Sequence, residues 1–346
     1  MDKKFIIYFL ILFFSKFNFS YSENNTVLDF DKGIISLMYH RFEENKYPST
    51  NIRLDIFKEQ INYIKKSNFT FLNPVNLKDQ LSDIKEDKLI LLTIDDGFQS
   101  FYDNAWPILK KNKIPFILFI STEFVGKNNY MSWEQILEIE KSGLGKIGNH
   151  SHSHEYLADW SNEEIKKDLN KSINLFKKNL GYSPKYFSYP FGEYSNDFKE
   201  IVKELNFEIA FGQHSGIIDA SKNKLELPRF PINEKYGDLD RFKFILNLLP
   251  LPYKKIDPEN RYLQKDENPP KIEITFFEEQ KNLEKINCFS NEGNRWRKSK
   301  IEFIKNNRLK IIIDEKFVTE RGRINCSLQD KKGWRWLGIQ YVISEY

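Results

Sequence analysis

The sequence has few cysteines and little excess of either charge, and its one long apolar run lies at its start. The 53 basic residues nearly balance the 49 acidic ones, and the net charge of +4 is too weak to indicate nucleic-acid binding. The two cysteines, Cys288 and Cys326, both lie near the C-terminus. In an oxidising compartment they predict one disulfide, and the alternative is a pair of buried free thiols.

The N-terminus resembles a secretory signal. A lysine pair precedes the apolar run 5–14, and small residues at Ser20 and Ser22 place cleavage near Ser22. The run is short for a bilayer span, so an uncleaved anchor is the less favoured alternative. No cysteine stands directly after this run, which argues against a lipoprotein. We therefore predict a signal peptide over 1–22 and an exported protein, periplasmic, extracellular or associated with the cell envelope, without a membrane span after cleavage.

Strands and helices alternate over the following 200 residues or so. Apolar runs predict strands at 33–39, 89–94, 116–120, 143–149, 186–189 and 209–211. Amphipathic stretches predict helices at 54–66, about 100–111, from 132, 161–180 and 196–205. This alternation is typical of an α/β fold with a parallel sheet or barrel.

The pattern changes after residue 246. Several prolines and many charges between 247 and 270 predict a linker. Beyond it, alternating segments predict the strands 271–277, 285–289, 301–304, 309–313, 323–328 and 334–343. The predicted organisation is therefore a main domain over 23–246, a linker over 247–270 and a small C-terminal β-sandwich-like domain over 271–346.

The strand 89–94 ends at two adjacent carboxylates, Asp95 and Asp96, followed by Gly97. Its continuous apolar character predicts a buried parallel strand, and active sites of α/β folds lie at the carboxyl edge of such strands. Adjacent carboxylates repel unless a cation balances them or one stays protonated. A metal ion bound by one carboxylate would leave the other free to act as a base.

Three of the five histidines lie within the segment 148–154, just past another predicted strand. His150 and His154 are four residues apart, so one helical turn would place both imidazoles on the same face. With Asp96 they predict a two-histidine, one-carboxylate metal site with open positions. Zinc suits these ligands, and cobalt, nickel or iron would also fit.

These motifs resemble the polysaccharide deacetylase family, also known as the NodB homology or carbohydrate esterase 4 family. Thr93-Ile94-Asp95-Asp96-Gly97 is similar to its Thr-Phe-Asp-Asp-Gly motif, and His150-Ser151-x-x-His154 to its His-Ser/Thr-x-x-His motif. Tyr39-His40 and Ser188-Tyr189-Pro190-Phe191-Gly192 resemble motifs of the poly-β-1,6-N-acetylglucosamine deacetylase branch. The resemblance covers about 33–235 and implies a distorted (β/α) barrel.

The resemblance also implies roles for individual residues. Asp95 would be the general base, and Asp96, His150 and His154 would hold the metal whose bound water attacks the N-acetyl carbonyl. The backbone N–H of Phe191 would stabilise the oxyanion, with Pro190 and Gly192 shaping the turn around it. His40 and Tyr189 are further candidates for substrate contact.

Two departures from the family pattern are visible. Many members have an arginine that orients the base at the position of Ser188, and Arg229 is the candidate substitute. The late Leu-x-His motif, whose histidine protonates the leaving amine, is also missing, because no histidine follows His214. His214 is the first candidate for that acid and His40 the second, and either could instead be structural.

We therefore predict a metal-dependent hydrolase that removes N-acetyl groups from poly- or oligosaccharides containing N-acetylglucosamine. The alternatives are deacetylation of peptidoglycan, hydrolysis of O-acetyl esters such as those of xylan, and a catalytically weak carbohydrate-binding relative. An iron oxygenase with the same ligand set is disfavoured, because it would give Asp95 no role.

Overall fold

The computed structural model describes Asp29 and the residues 31–305 and 307–344. The predicted signal peptide, 1–22, lies outside these residues. In the described part no helix has both the length and the apolar character needed to cross a bilayer.

The N-terminal part alternates short strands with helices. Its strands are β1 (Ile34–Tyr39), β2 (Arg41–Phe42), β3 (Asn51–Ile52), β4 (Thr70–Phe71), β5 (Leu89–Ile94), β6 (Phe116–Ile120), β7 (Gly145–Asn149), β8 (Tyr186–Ser188), β9 (Ile209–Phe211) and β10 (Phe230–Pro231). Its helices are α1 (Leu54–Lys66), α2 (Leu77–Gln80), α3 (Trp106–Asn112), α4 (Trp133–Lys141), α5 (Asn162–Leu180), α6 (Asn196–Glu204) and α7 (Leu239–Leu246). Capping boxes at Ser132 and Ser161 begin α4 and α5, as their sequences indicate.

The large sheet is parallel and curls into a partial barrel. Its strand order is β10-β1-β5-β6-β7-β8-β9, with β4 also pairing with β5. All residues of β1 and β5 are buried, which explains why both sequences are apolar except for Ser36 and Thr93. In their shared register Tyr39 pairs with Ile94, so the carboxyl ends of both strands lie side by side. The predicted α/β fold and distorted barrel are confirmed.

The C-terminal part is built of two sheets around one apolar core. Its strands are β11 (Leu249–Pro250), β12 (Tyr253–Asp257), β13 (Tyr262–Leu263), β14 (Ile272–Phe276), β15 (Asn287–Ser290), β16 (Arg297–Lys298), β17 (Lys300–Ile304), β18 (Arg308–Ile312), β19 (Arg321–Gln329) and β20 (Trp334–Ile343). One sheet has the order β11-β20-β19-β15-β16 with β13 beside β20, and the other has the order β12-β14-β18-β17. Side chains of both sheets share a core, as in a sandwich.

The cysteine pair and the predicted linker both belong to this C-terminal part. Cys288 and Cys326 lie opposite each other on β15 and β19 and form a disulfide, as predicted. Residues 247–270 are not an extended connection, because β11 and β13 pair with β20 and β12 pairs with β14. Prolines indicate a linker only where they interrupt pairing, and here Pro250 lies within a two-residue strand at the margin of a sheet.

The two parts of the chain pack against each other. Trp336 of β20 donates its indole N–H to Ser215 Oγ (2.8 Å), and Ser215 Oγ donates to Asn325 Oδ1 of β19 (2.9 Å). At Gly338 the strand approaches so closely that an added Cβ would lie 2.2 Å from the backbone oxygen of Ser215. The sheet β19–β20 therefore packs directly against the barrel.

Candidate metal centre and active site

Asp95 and Asp96 lie at the carboxyl end of β5 and make different contacts. The N–H of Asp95 donates to the carbonyl of Tyr39 (2.9 Å), which extends the β1–β5 pairing by one residue. Asp96 then adopts a positive φ of 75°, a conformation uncommon for a residue other than glycine. Such strained positions concentrate at functional sites, and Ser151, His154 and Phe191 at this edge also have positive φ.

Asp95 is fully buried against a buried arginine. Arg229 donates Nη1–H to Asp95 Oδ1 (2.7 Å) and Nη2–H to Oδ2 (2.9 Å), a bidentate pair. Ser188 Oγ accepts from Arg229 Nη2 (2.8 Å) and donates to Asp95 Oδ2 (3.2 Å). Burial raises the pKa of the Asp95 carboxyl. The electrostatic effects of Arg229, His150 and His40 together lower this pKa by a larger amount, so the net shift is downward.

The predicted metal ligands come together beside this pair. The Nε2 atoms of His154 and His150 lie 3.1 Å and 3.4 Å from Asp96 Oδ1, and one ligand atom from each of the three residues lies within 4.8 Å of the others. His150 Nδ1 lies 2.7 Å from the carbonyl oxygen of Ser188, which can only accept. This contact assigns the proton to Nδ1 and leaves Nε2 with a free lone pair, as metal-ligating histidines require.

The donor set fits a divalent metal ion. Asp96 Oδ1 and His150 Nε2 are buried and have no hydrogen-bonding partner among the residues that the structure describes. Buried polar atoms are rarely left unpaired, and a cation coordinated by both would satisfy them. Two imidazoles and one carboxylate suit zinc and neighbouring transition metals.

The loop that carries the histidines is held by residues that the motifs do not reveal. Asp168 of α5 accepts the N–H groups of His152 (2.8 Å) and Ser153 (3.0 Å). Its sequence signal is a carboxylate on the buried face of an amphipathic helix. His152 is not part of the predicted metal cluster, and its Nδ1 contacts Thr122 Oγ1 (3.0 Å).

The loop after β8 places Phe191 next to the predicted metal ligand His154. Phe191 has φ 57° and ψ 5°, and its ring lies 4.7 Å from the imidazole of His154 and stacks on Tyr156 at 4.3 Å. Gly192 has φ +71°, and an added Cβ would lie 2.4 Å from the backbone N of Gln213. This position therefore requires glycine, as the predicted tight turn implies.

Tyr189 does not belong to the site. Its side chain is fully buried in the apolar cluster around α5 and α6, and its hydroxyl donates to the carbonyl of Leu225 (3.0 Å). Successive side chains of a strand point to opposite faces, so Ser188 faces Asp95 while its neighbour faces the core. The prediction that Tyr189 contacts substrate was wrong.

The two candidate acids occupy different places. His40 directly follows β1, and its ring is close enough for the charges of Asp96 and Asp95 to raise its pKa, although burial lowers it by more. His214 instead lines a separate small cavity with Tyr194 and Arg261. Burial, with Arg261, lowers the pKa of His214 to about 3, so the ring is neutral at physiological pH. In the described part no hydrogen bond or ion pair joins its side chain to Asp96, His150 or His154.

Comparison with known proteins identifies relatives. A sequence profile described as polysaccharide deacetylase matches residues 82–210. A protein of Staphylococcus aureus (strain MSSA476) named poly-beta-1,6-N-acetyl-D-glucosamine N-deacetylase is 31% identical over 195 residues, 51% of this chain and 66% of the relative. A protein of the same name from Staphylococcus epidermidis is 25% identical over 251 residues, covering 63% of this chain and 86% of the relative. The match spans just under two thirds of the S. aureus protein.

Solved structures with the same barrel support the comparison. The deacetylase PplD of Streptococcus pyogenes, solved with acetate, has a TM-score of 0.55 at 25% identity, covering 60% of this chain and 95% of its own. IcaB from Ammonifex degensii has a TM-score of 0.56 at 26% identity, covering 62% of this chain and 97% of its own. Sequence and fold comparisons thus confirm the resemblance predicted from the motifs.

Proposed function

We propose, from the premise that this chain belongs to the polysaccharide deacetylase family, that it hydrolyses the N-acetyl groups of N-acetylglucosamine polymers or oligomers. We further propose that it prefers β-1,6-linked substrates. The observation that carries the proposal is the buried Asp95–Arg229 pair beside Asp96, His150 and His154. The Asp95 carboxylate stays ionised and can act as a base, while the neighbouring Asp96 carboxylate approaches His150 and His154. The β-1,6 preference is taken from the names of the relatives.

The residues of the site divide the chemistry between them. Asp96, His150 and His154 would hold a divalent metal, which when bound supplies Lewis-acid activation of the acetamide carbonyl. Asp95 accepts the proton of the attacking water, and Arg229 and Ser188 hold its carboxylate in position. The N–H of Phe191 donates to the developing oxyanion. The predicted signal peptide, 1–22, supports action outside the cytoplasm.

The test of this function is acetate release from defined oligomers. The purified protein should release acetate from β-1,6-linked N-acetylglucosamine oligomers faster than from β-1,4-linked ones. Chelation should abolish the activity, and zinc, cobalt or nickel should restore it, because the site requires a cation. No acetate from any oligomer, with metal demonstrably bound, would overturn the proposal. Acetate released only from acetylated xylan would replace it with an esterase.

We assign protonation of the leaving amine to His40 and not to His214. The β1–β5 register puts His40 at the same sheet edge as Asp95 and Asp96, whereas His214 lines a different cavity. His40→Asn should lower kcat by about 10²-fold or more, the usual contribution of a general acid, and His214→Asn should leave kcat close to that of the wild type. Steady-state kinetics on the same oligomer checks both. The reverse ranking would return the role to His214.

A further inference from the structure

The loop that carries Phe191 is held from outside by the C-terminal part of the chain. Arg321, the first residue of β19, donates Nε–H to Glu193 Oε1 at 2.6 Å. Its guanidinium carbon lies 5.5 Å from the centre of the Phe191 ring. Gln340 of β20 donates its side-chain N–H to the carbonyl of Gly192 (3.3 Å). Two adjacent strands of one sheet therefore hold three consecutive residues of this loop.

The contacts on Phe191 leave its backbone little freedom. One face of the ring stacks on Tyr156, with an interplanar angle of 11°, and His154 meets the ring at 66°. The positive φ of Phe191 is a conformation that persists only when its surroundings enforce it. Arg321 adds a contact on this ring from the C-terminal sheets.

Glu193 depends on Arg321 for its charge balance. Its side chain is 2% exposed, and Arg321 is its ion-pair partner. Burial raises the pKa of Glu193 to about 7, against the opposing effect of the guanidinium. Without Arg321 the carboxylate would either take up a proton or turn toward solvent, because an isolated buried charge is unfavourable. Either change would loosen the backbone that follows Phe191.

We propose that Arg321 is a positioning residue of the active site, which holds Glu193 and Phe191 so that the Phe191 N–H stays aimed at the reacting carbonyl. The C-terminal domain thereby becomes part of the catalytic unit, although Arg321 lies outside the segment 82–210 that the family profile matches. This inference rests on the proposed deacetylase function.

The test compares Arg321→Ala and Arg321→Lys in the full chain. Removing an oxyanion donor costs about 10²–10³-fold in kcat, so a donor that is present but poorly aimed should cost about 10-fold or more. We expect Arg321→Ala to lower kcat by that amount with little change in KM, because the hydrogen bond from the Phe191 N–H to the oxyanion forms in the transition state. Arg321→Lys should recover part of kcat, since it keeps the charge opposite Glu193 but not the planar contact with Phe191.

A matched control uses another arginine–glutamate pair of the same domain. Arg308 pairs with Glu273 at 2.9 Å in the sheet that contains β14 and β18. Arg308→Ala removes a similar charge from this domain, and its kcat should equal that of the wild type. Zinc affinity, measured by calorimetry, should be the same in Arg321→Ala as in the wild type, since none of the three metal ligands is changed.

Hydrogen exchange separates this inference from the function on which it rests. Amide exchange in the peptide containing Phe191 and Gly192 should be faster in Arg321→Ala than in Arg308→Ala. This measurement needs no substrate, so it does not depend on which reaction the protein catalyses. A wild-type protein that releases no acetate would contradict the deacetylase function, and exchange would still test the positioning. If the wild type is active and folded Arg321→Ala keeps both its kcat and its exchange rate, the inference is wrong and the function stands.

Discussion

Asp95→Asn is expected to lower acetate release by about 10³-fold or more while leaving zinc affinity close to that of the wild type. The amide keeps the size and shape of the carboxylate but cannot accept the proton of the attacking water. The proposed metal ligands Asp96, His150 and His154 are unchanged, so their ability to bind zinc should persist. Kinetics on β-1,6-linked oligomers and calorimetric zinc titration, performed on the same preparation, check both halves of the prediction.

The neighbouring carboxylate provides the matched control. Asp96→Asn should lose zinc affinity and activity together, because Asp96 Oδ1 is the atom that both histidines approach. The two variants remove the same charge from adjacent positions. A difference between their zinc affinities would therefore reflect the different roles of Asp95 and Asp96. If Asp95→Asn remained active, or lost zinc as severely as Asp96→Asn, Asp95 would not be the base.

The residues predicted most directly from the sequence lie where two strand ends meet. The apolar run before Asp95 and the glycine-containing strand before His150 both had to end at the carboxyl edge of a parallel sheet. Strand periodicity and sheet geometry are therefore sufficient to predict that Asp96 and His150 lie close together. His154 was predicted from a helical turn, whereas the structure brings it there through a loop with positive φ at Ser151 and His154. Arg229 was predicted from the family resemblance, as the substitute for the arginine that many members have at the position of Ser188.

The errors concern residues whose side-chain direction depends on packing. Tyr189 shares a motif with Phe191, but strand alternation points its ring into the core. The role of His214 stays a prediction, but its side chain lines a cavity with Tyr194 and Arg261, and the scarcity of histidines does not indicate which cavity a side chain enters. Strands in the supposed linker pair with partners far along the chain, which proline content does not predict.

Two contributions of distant residues were not predicted at all. Asp168 and Arg321 support the site through contacts across the fold, and Arg321 is separated from Glu193 by 128 residues. The Asp168 contact depends on how α5 packs on the histidine loop, and the Arg321 contact depends on how the sheet β19–β20 packs on the barrel. Sequence analysis was therefore more successful for the residues proposed to perform the chemistry than for the residues that hold them in place.

Arg229→Met is expected to be the most damaging substitution in the protein. Arg229 is fully buried, and its Nε donates to the carbonyl of Gly212 (2.9 Å) and its Nη1 to Thr93 Oγ1 (3.2 Å), in addition to its bonds with Asp95 and Ser188. Removing one member of a buried ion pair leaves an uncompensated charge and costs about 3–5 kcal/mol of unfolding free energy. Chemical denaturation at neutral pH measures this loss directly.

The double variant Asp95→Asn/Arg229→Met tests whether the loss of unfolding free energy arises from the unpaired Asp95 carboxylate. Because the asparagine is neutral, the double variant should recover part of the stability that Arg229→Met loses, a non-additivity expected for residues in direct contact. Arg229→Lys supplies the charge from a single ammonium and cannot hold both carboxylate oxygens of Asp95, so it should be intermediate. Additive losses would mean that the packing of Arg229, and not its charge, stabilises the fold.

The same substitution should change the pH dependence of any activity that remains. Burial raises the pKa of Asp95 and the guanidinium of Arg229 opposes it, so without the guanidinium the pKa rises. The base would then be protonated at a higher pH, and the acidic limb of the kcat/KM profile should shift upward in Arg229→Lys and further in Arg229→Met. An unshifted limb in a folded, active variant would show that Arg229 does not control the ionisation of the base, and would leave its contacts with Ser188, Thr93 and Gly212 as its role.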